Sequence, residues 1–392
     1  MQKSLIIAST VWLLPFVCSA QSYTQYDKNS EKLVMSNALL ATDNINPVID
    51  HKTSALGWQL DANGELVNLN RALQLKLDYN ARFNQWQQQP DAVLEDSSFL
   101  QAGIEGHGRL FLSGNWQLNG SAGYQYNNHM PGSGLSRLRK NIIATDTRHY
   151  SHAQLGASYG HEASNRRITL NYHRGSVRYS DDNDYSSEFE LDQSTISAEI
   201  AFRLSAATNL IFEVEHQQDD YLSVRRSDSD KTRLLAGFEW DYSGLTRIRA
   251  LAGGYKRTID QQADNNGSAW QVALHYSPRK DTGIRIESSQ DSIAGDSELA
   301  TDSRMRRMLL ELTYQYSELW QWGMLVSAAE TRFDEPQSVR YLDEVLARVW
   351  VKLALKQHHH FRLSLQHSEN ELSTGALDFQ QAQITASWQY RF

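Results

Sequence analysis

The chain runs to 392 residues, of which 40% are hydrophobic, with a mean hydropathy of -0.56 and a formal net charge of -8. That balance argues against nucleic acid as a partner, because no basic face dominates. After the N-terminus no apolar run approaches the roughly 20 residues of a membrane helix, and the aliphatic content is low for a soluble chain that must bury its cores. A wide membrane β-barrel reconciles these facts, since only alternate residues meet lipid while the lumen stays wet.

Residues 1–20 have the three-part layout of a secretory signal. Lys3 precedes an apolar stretch over 5–17, and Cys18-Ser19-Ala20 supplies small residues before Gln21, which predicts cleavage between Ala20 and Gln21. Lipid attachment at Cys18 is a competing reading, but it asks for a small residue where Val17 stands. Cys18 is the chain's single cysteine, so the predicted mature protein has neither a disulfide nor a thiolate nucleophile. Residues 21–32 read as a polar periplasmic leader and 33–392 as the barrel.

Residues 33–41 supply a first strand with poor alternation. Further on, Leu73, Leu75, Leu77 and Tyr79 oppose Gln74, Lys76 and Asp78 at every second position. Over 233–242, Leu234, Ala236, Phe238, Trp240 and Tyr242 oppose Arg233, Gly237, Glu239 and Asp241. In 246–257, Ile248, Ala250 and Ala252 oppose Arg247, Arg249 and Tyr255. Val345, Ala347, Val349, Val351, Leu353 and Leu355 form one stripe against Arg348, Lys352 and Lys356. A strand separates such sets automatically, whereas a helix mixes them.

Short turns are predicted around 113–115, 162–165, 205–208, 242–245, 277–281, 317–319 and 356–359. Longer polar stretches fall at 84–96, 127–149, 180–190, 220–230, 259–267, 290–302, 333–342 and 369–377. Alternating short and long links are the mark of an antiparallel up-and-down transmembrane barrel, with short turns in the periplasm and long loops outside. Counting back from the C-terminus gives about eighteen strands, with about sixteen as the alternative.

The last strand, 378–392, places Ala382, Ile384, Ala386, Trp388, Tyr390 and Phe392 on one face. The alternating aromatics Trp388, Tyr390 and the terminal Phe392 resemble the signal read by the barrel-assembly machinery. Tyr314, Tyr316, Trp320 and Trp322 are placed to form part of a periplasmic girdle. Outer-membrane lipid and lipopolysaccharide follow as expected partners, and the localisation expected is the Gram-negative outer membrane.

No catalytic, cofactor-binding or metal-ligating set stands out. His358-His359-His360 alternate sides on extended chain, so the run makes a solvated turn or a loose metal contact rather than a closed site. No Ser–His or Asp–His pair is singled out for a barrel-rim enzyme. Asn266-Gly267-Ser268 reads as a loop tip carrying a chance glycosylation pattern.

The predicted lumen face is richer. It sets Lys76, Arg203, Arg233, Arg247, Arg249, Arg285, Arg307, Arg348, Lys352 and Arg362 against Glu105, Glu199, Glu213, Glu215, Glu239 and Glu311, with Tyr255 and Trp350 as its notable aromatics. Opposed charges of this kind either define a selective wet pore or brace the wall as ion pairs. The stretch 127–149, with Pro131-Gly132-Ser133-Gly134 and then Arg137, Arg139 and Lys140, is long enough to constrict the pore or to contact surface polysaccharide.

Residues 231–240 (Lys231-Thr232-Arg233-Leu234-Leu235-Ala236-Gly237-Phe238-Glu239-Trp240) lead into Ala252-Gly253-Gly254-Tyr255-Lys256-Arg257. Gly267-Ser268-Ala269-Trp270, Tyr276-Ser277-Pro278-Arg279 and Arg285-Ile286-Glu287-Ser288-Ser289 follow in order. This series resembles the β-barrel porin 2 family, which includes outer-membrane proteins encoded with exopolysaccharide biosynthesis operons. The resemblance implies a porin-like channel or accessory for exopolysaccharide or oligosaccharide secretion, with polysaccharide cargo and export partners, and brings no catalytic residues. Two other readings stand beside it, a structural or adhesive barrel that retains matrix polymer and an outer-membrane enzyme.

Overall fold

The computed structural model describes residues 29–392 apart from 46–51, 88–96, 113–114, 130–134, 136–145, 161–163, 181–183, 261, 263, 294–301, 335–338, 356–357 and 374–377. The signal peptide, its cleavage point and most of the leader lie outside the described residues, as does nearly all of the linker after the fifth strand.

Eighteen antiparallel strands form one sheet. In chain order they are β1 (Ser30–Thr42), β2 (Ala55–Leu69), β3 (Leu73–Trp86), β4 (Ser98–Phe111), β5 (Trp116–His129) and β6 (Asp146–Tyr159). Then come β7 (Arg166–Tyr179), a short α1 (Asp184–Ser187), β8 (Leu191–Arg203), β9 (Thr208–Tyr221), β10 (Ser229–Asp241), β11 (Thr246–Ile259) and β12 (Asn265–Arg279). The last are β13 (Thr282–Ile293), β14 (Asp302–Gln315), β15 (Trp320–Asp334), β16 (Val339–Ala354), β17 (His359–Leu372) and β18 (Asp378–Arg391). β1 pairs with β18 from Val34↔Arg391 to Thr42↔Gln383, and the sheet closes on itself. Closure removes the edges that lipid cannot hydrate.

The first strand begins at Ser30, inside the predicted leader. Its alternation is poor for a structural reason: Leu40 points inward, yet joins an apolar cluster with Ile45, Ala55, Trp86 and Phe99 at the mouth. Strands also run further into the polar stretches than expected. The links 260–264, 335–338 and 373–377 are shorter than predicted, because strands continue above the lipid band once both faces turn polar. The predicted loop tip Asn266-Gly267-Ser268 is therefore wrong, since these residues lie within β12.

Ion pairs identify the inside. Arg233 on β10 reaches Asp291 on β13 at 2.6 Å, and Arg249 on β11 reaches Glu199 on β8 at 2.7 Å, contacts that span intervening strands across the concave face. The opposite face carries Leu155, Leu170, Phe212, Val349, Leu363 and Ile384, all exposed. Rings edge this belt at the short-turn end, where Trp116 meets Tyr159 at 5.1 Å and Tyr314 meets Trp322 at 5.6 Å. An apolar belt this wide is stable only in a bilayer, with amphipathic rings at its margin. The chain is a multi-pass β-barrel of the outer membrane.

Two glycines in the 231–257 segment have a packing role. A Cβ on Gly237 would run into the Ala250 carbonyl, and one on Gly253 into the Leu234 carbonyl. Only Gly tolerates so close a backbone approach. Gly253→Val is expected to cost about 3 kcal/mol and to deplete the folded, heat-modifiable band on SDS gels, whereas Ala252→Val on the lipid face leaves that band intact.

Candidate functional site

The site is the inner wall, which divides into three sectors. Across β8–β11 the charges lock together. Arg233 is buried and gives Nη2 to Glu213 and Glu215, each at 2.9 Å. Arg249 bridges Glu199 at 2.7 Å, Glu213 at 3.4 Å and Glu239 at 3.6 Å. Arg167 adds a contact to Glu199 at 3.2 Å. Nearer the mouth, Arg257 donates to Asp219 at 2.8 Å and to Ser229 Oγ at 2.7 Å. Asp219 also accepts from Gln193 at 2.6 Å and Gln217 at 2.9 Å. Buried charges persist only when paired and hydrogen-bonded in this way.

A second sector, β2–β7, mixes carboxylates with imidazoles. Lys76 sits 2.8 Å from Asp78 and 3.2 Å from Glu65. His107 approaches Asp78 at 3.3 Å, and His152 approaches Glu105 at 3.3 Å. Tyr150 stacks on His152 at 5.3 Å between centroids, and His152 on His173 at 6.0 Å.

The third sector, β14–β17, is cationic. Arg307, Arg348, Lys352 and Arg362 all point inward on these strands, and Lys352 is paired in register with Arg362. Arg348 is held by Gln366 Oε1 at 3.0 Å from Nε. The Arg362 guanidinium lies 4.8 Å over the Trp350 ring, a cation–π contact, and that ring lies flat against Gly323 of β15. Among the described residues, Arg307, Lys352 and Arg362 form no ion pair, although Glu311 and Glu344 share the sector.

The alternation places all the predicted lumen residues on the inner face, but they do different things. Arg203 and Arg247 sit at the periplasmic rim, Arg203 on the Ser205 carbonyl at 3.2 Å and Arg247 on Asp241 at 3.1 Å. Arg285 pairs with Glu287 at 2.7 Å and reaches Glu311 at 3.8 Å. Sequence reasoning missed Asp219, Lys231, Arg257 and Asp291. Continuing the period-2 pattern past the lipid band, through Glu213, Glu215, Gln217 and Asp219, would have found the first of them.

At the extracellular end, α1 caps β7–β10. Tyr185 and Phe189 pack with Leu135 and against Tyr179, and Arg226 lies 4.4 Å over Phe189. Leu135 is the one described residue of the linker 130–145, and the rest of that predicted constriction loop lies outside the described residues. The histidine run departs from the expected alternation at its first member, because His358 precedes β17 and shares the outward Tyr390 ring with His359, at 6.0 Å and 4.9 Å between centroids. His359 stacks on Trp388 at 5.7 Å on the outer face, while His358 holds the Arg391 carbonyl at 2.7 Å. Among the described residues no group of His, Asp and Glu is arranged to hold a metal ion.

No family model matches the chain, and no curated protein matches it. Among solved structures, a BenF-like porin from Pseudomonas fluorescens Pf-5 is similar at 10% identity and TM-score 0.48, covering 93% of this chain and 99% of the other. The outer-membrane protein OpdK of Pseudomonas aeruginosa gives 11%, 0.48, 93% and 99% in the same order. OccAB3 of Acinetobacter baumannii gives 10%, 0.46, 93% and 99%. At this identity the likeness is one of architecture.

Proposed function

We propose that this porin-like barrel is a channel for an acidic oligosaccharide or exopolysaccharide strand crossing the outer membrane. The observation that carries the reading is the cationic sector of β14–β17, where Arg307, Lys352 and Arg362 stand without ion-pair partners among the described residues beside the flat Trp350 ring. Guanidinium and ammonium groups recognise carboxylates, and Trp350, buried between Gly323 and the Arg362 guanidinium, holds that cation in place on the wall. The neighbouring sector, β8–β11, two strands away around the wall, has its charges committed to one another and is rigid.

Purified protein in a planar bilayer is expected to conduct with anion preference. A uronic-acid oligomer should interrupt the current, and a neutral glucan of equal length should not. Lys352→Gln combined with Arg362→Gln should shorten those interruptions about tenfold. Conduction without block by the uronate oligomer would sink the cargo assignment. A folded barrel that passes no current at any voltage would leave the matrix-retaining surface barrel as the better account.

A further inference from the structure

The imidazoles and carboxylates of β3–β7 form one connected chain rather than separate pairs. Two neighbouring rows of inward residues cross these strands in register. The row nearer the periplasm holds Lys76, His107, Ser121, Gln154 and His173, and the next holds Asp78, Glu105, Gly123, His152 and Gly175. Lys76 Nζ lies 2.8 Å from Asp78, and His107 Nε2 lies 3.3 Å from Asp78 and 3.7 Å from Glu105. His152 Nε2 reaches the same Glu105 Oε1 at 3.3 Å. The His152 ring stacks at 6.0 Å on His173, whose Nε2 lies 3.4 Å from the Tyr150 hydroxyl.

A glycine lets the chain cross β5. His152 and Glu105 stand two strands apart, and the position between them in register is Gly123. A Cβ there would lie 2.5 Å from His152 Cε1, so the ring rests over bare backbone and meets the carboxylate on the far side. The inward neighbours of Gly123 on β5, Ser121 and Gln125, are uncharged.

The other charges facing the chain are few. Glu65 of β2 holds Lys76 at 3.2 Å and Lys32 of β1 at 2.7 Å. Arg109 lies on the periplasmic side of His107, and Arg148 lies on the extracellular side of Tyr150, 5.4 Å from that ring. Beyond His173, β8 presents Thr195 in register, and its Glu199 is already engaged by Arg167 and Arg249. Within the chain, then, the carboxylates of Glu65, Asp78 and Glu105 meet the ammonium groups of Lys32 and Lys76, and the imidazoles set the balance.

An imidazole ordinarily changes charge between about pH 5 and 8. We infer, resting on the channel reading above, that His107, His152 and His173 make this wall a proton-set selectivity element of the pore. With the three imidazoles neutral the chain is net negative. With all three charged it is net positive, and it extends the cationic wall of β14–β17 past β18 and β1. Because His152 and His173 are stacked, they do not charge independently, and the change is broader than that of a single site.

Reversal potentials of the purified protein in a planar bilayer, under a KCl gradient, test this at pH 8 and pH 5. The preference for chloride over potassium is expected to rise about threefold on acidification. Lumen carboxylates also take up protons over part of this range, so substitution apportions the effect. His107→Gln combined with His152→Gln and His173→Gln should lose most of the rise. A triple variant that keeps it overturns the assignment, and so does a parent with one selectivity at both pH values. Where the triple variant does not insert, the three single substitutions decide: each should remove part of the rise, and three singles that all retain it in full overturn the assignment. A folded barrel that passes no current at either pH would remove the channel reading and this role with it, whereas current with a flat selectivity removes this role alone.

Discussion

Arg257→Met is expected to destabilise the barrel by about 3–5 kcal/mol, because it strands a buried carboxylate. Arg257 and Asp219 are each 1% exposed, and their 2.8 Å contact is the one ion pair of that acid among the described residues. The amides of Gln193 and Gln217 still reach Asp219 after the substitution, but an amide dipole does not neutralise a buried charge. Adding Asp219→Asn should therefore recover most of the loss, since a neutral carboxamide keeps an acceptor for the same donors. Urea unfolding of lipid-reconstituted protein, followed by tryptophan fluorescence, measures both. A single variant that unfolds at the parental urea concentration would show that the pair contributes nothing net.

The second large effect contrasts two neighbours on β6. Leu155 is 69% exposed on the outer belt, and Gln154 faces the lumen, with its amide 3.5 Å from Asn171. Leu155→Arg places a charge in hydrocarbon and is expected to cost about 2–4 kcal/mol. Gln154→Arg puts the same charge into a wet, hydrogen-bonding wall and should cost less than about 1 kcal/mol. Refolding yield into vesicles and the urea midpoint read the difference. Equal penalties would mean that the outward belt is not the lipid-facing surface.

The two substitutions also mark how far reading along the chain reaches. Which face of each strand meets lipid was legible wherever the period-2 pattern was strong, as in β10, β16 and β18, because the pleat alone sets it. It was obscure in β1, where Leu40 is apolar and yet inward, since an internal apolar cluster imitates the lipid face. The strand ends were misjudged in the same way. Asn266-Gly267-Ser268 looks like a loop because its side chains are small and polar, but the backbone of β12 is still paired to β11 there, and Gly267 provides the bed for the Tyr255 ring.

Charge type along the inner wall was legible too, but its partition was not. Arg233, Arg249, Arg348 and Lys352 are equivalent in sequence, each a cation on a lumen-facing position. Closure of the sheet brings Glu199, Glu213 and Glu239 within reach of the β10 and β11 arginines. On β16 and β17 it stacks cation beside cation, at Lys352↔Arg362. That outcome depends on register between strands distant in sequence, which the pattern within one strand does not encode.

By itself, then, the order of residues determined a β-barrel, its number of strands to within a hairpin, its inside and outside, and its periplasmic and extracellular ends. These follow from alternation and link length, which are local quantities. Only the tertiary structure decided which lumen charges are mutually satisfied and which stand without an ion pair among the described residues. Both rest on contacts between strands that are neighbours around the circumference or across the lumen, and a chain read one residue at a time has no circumference.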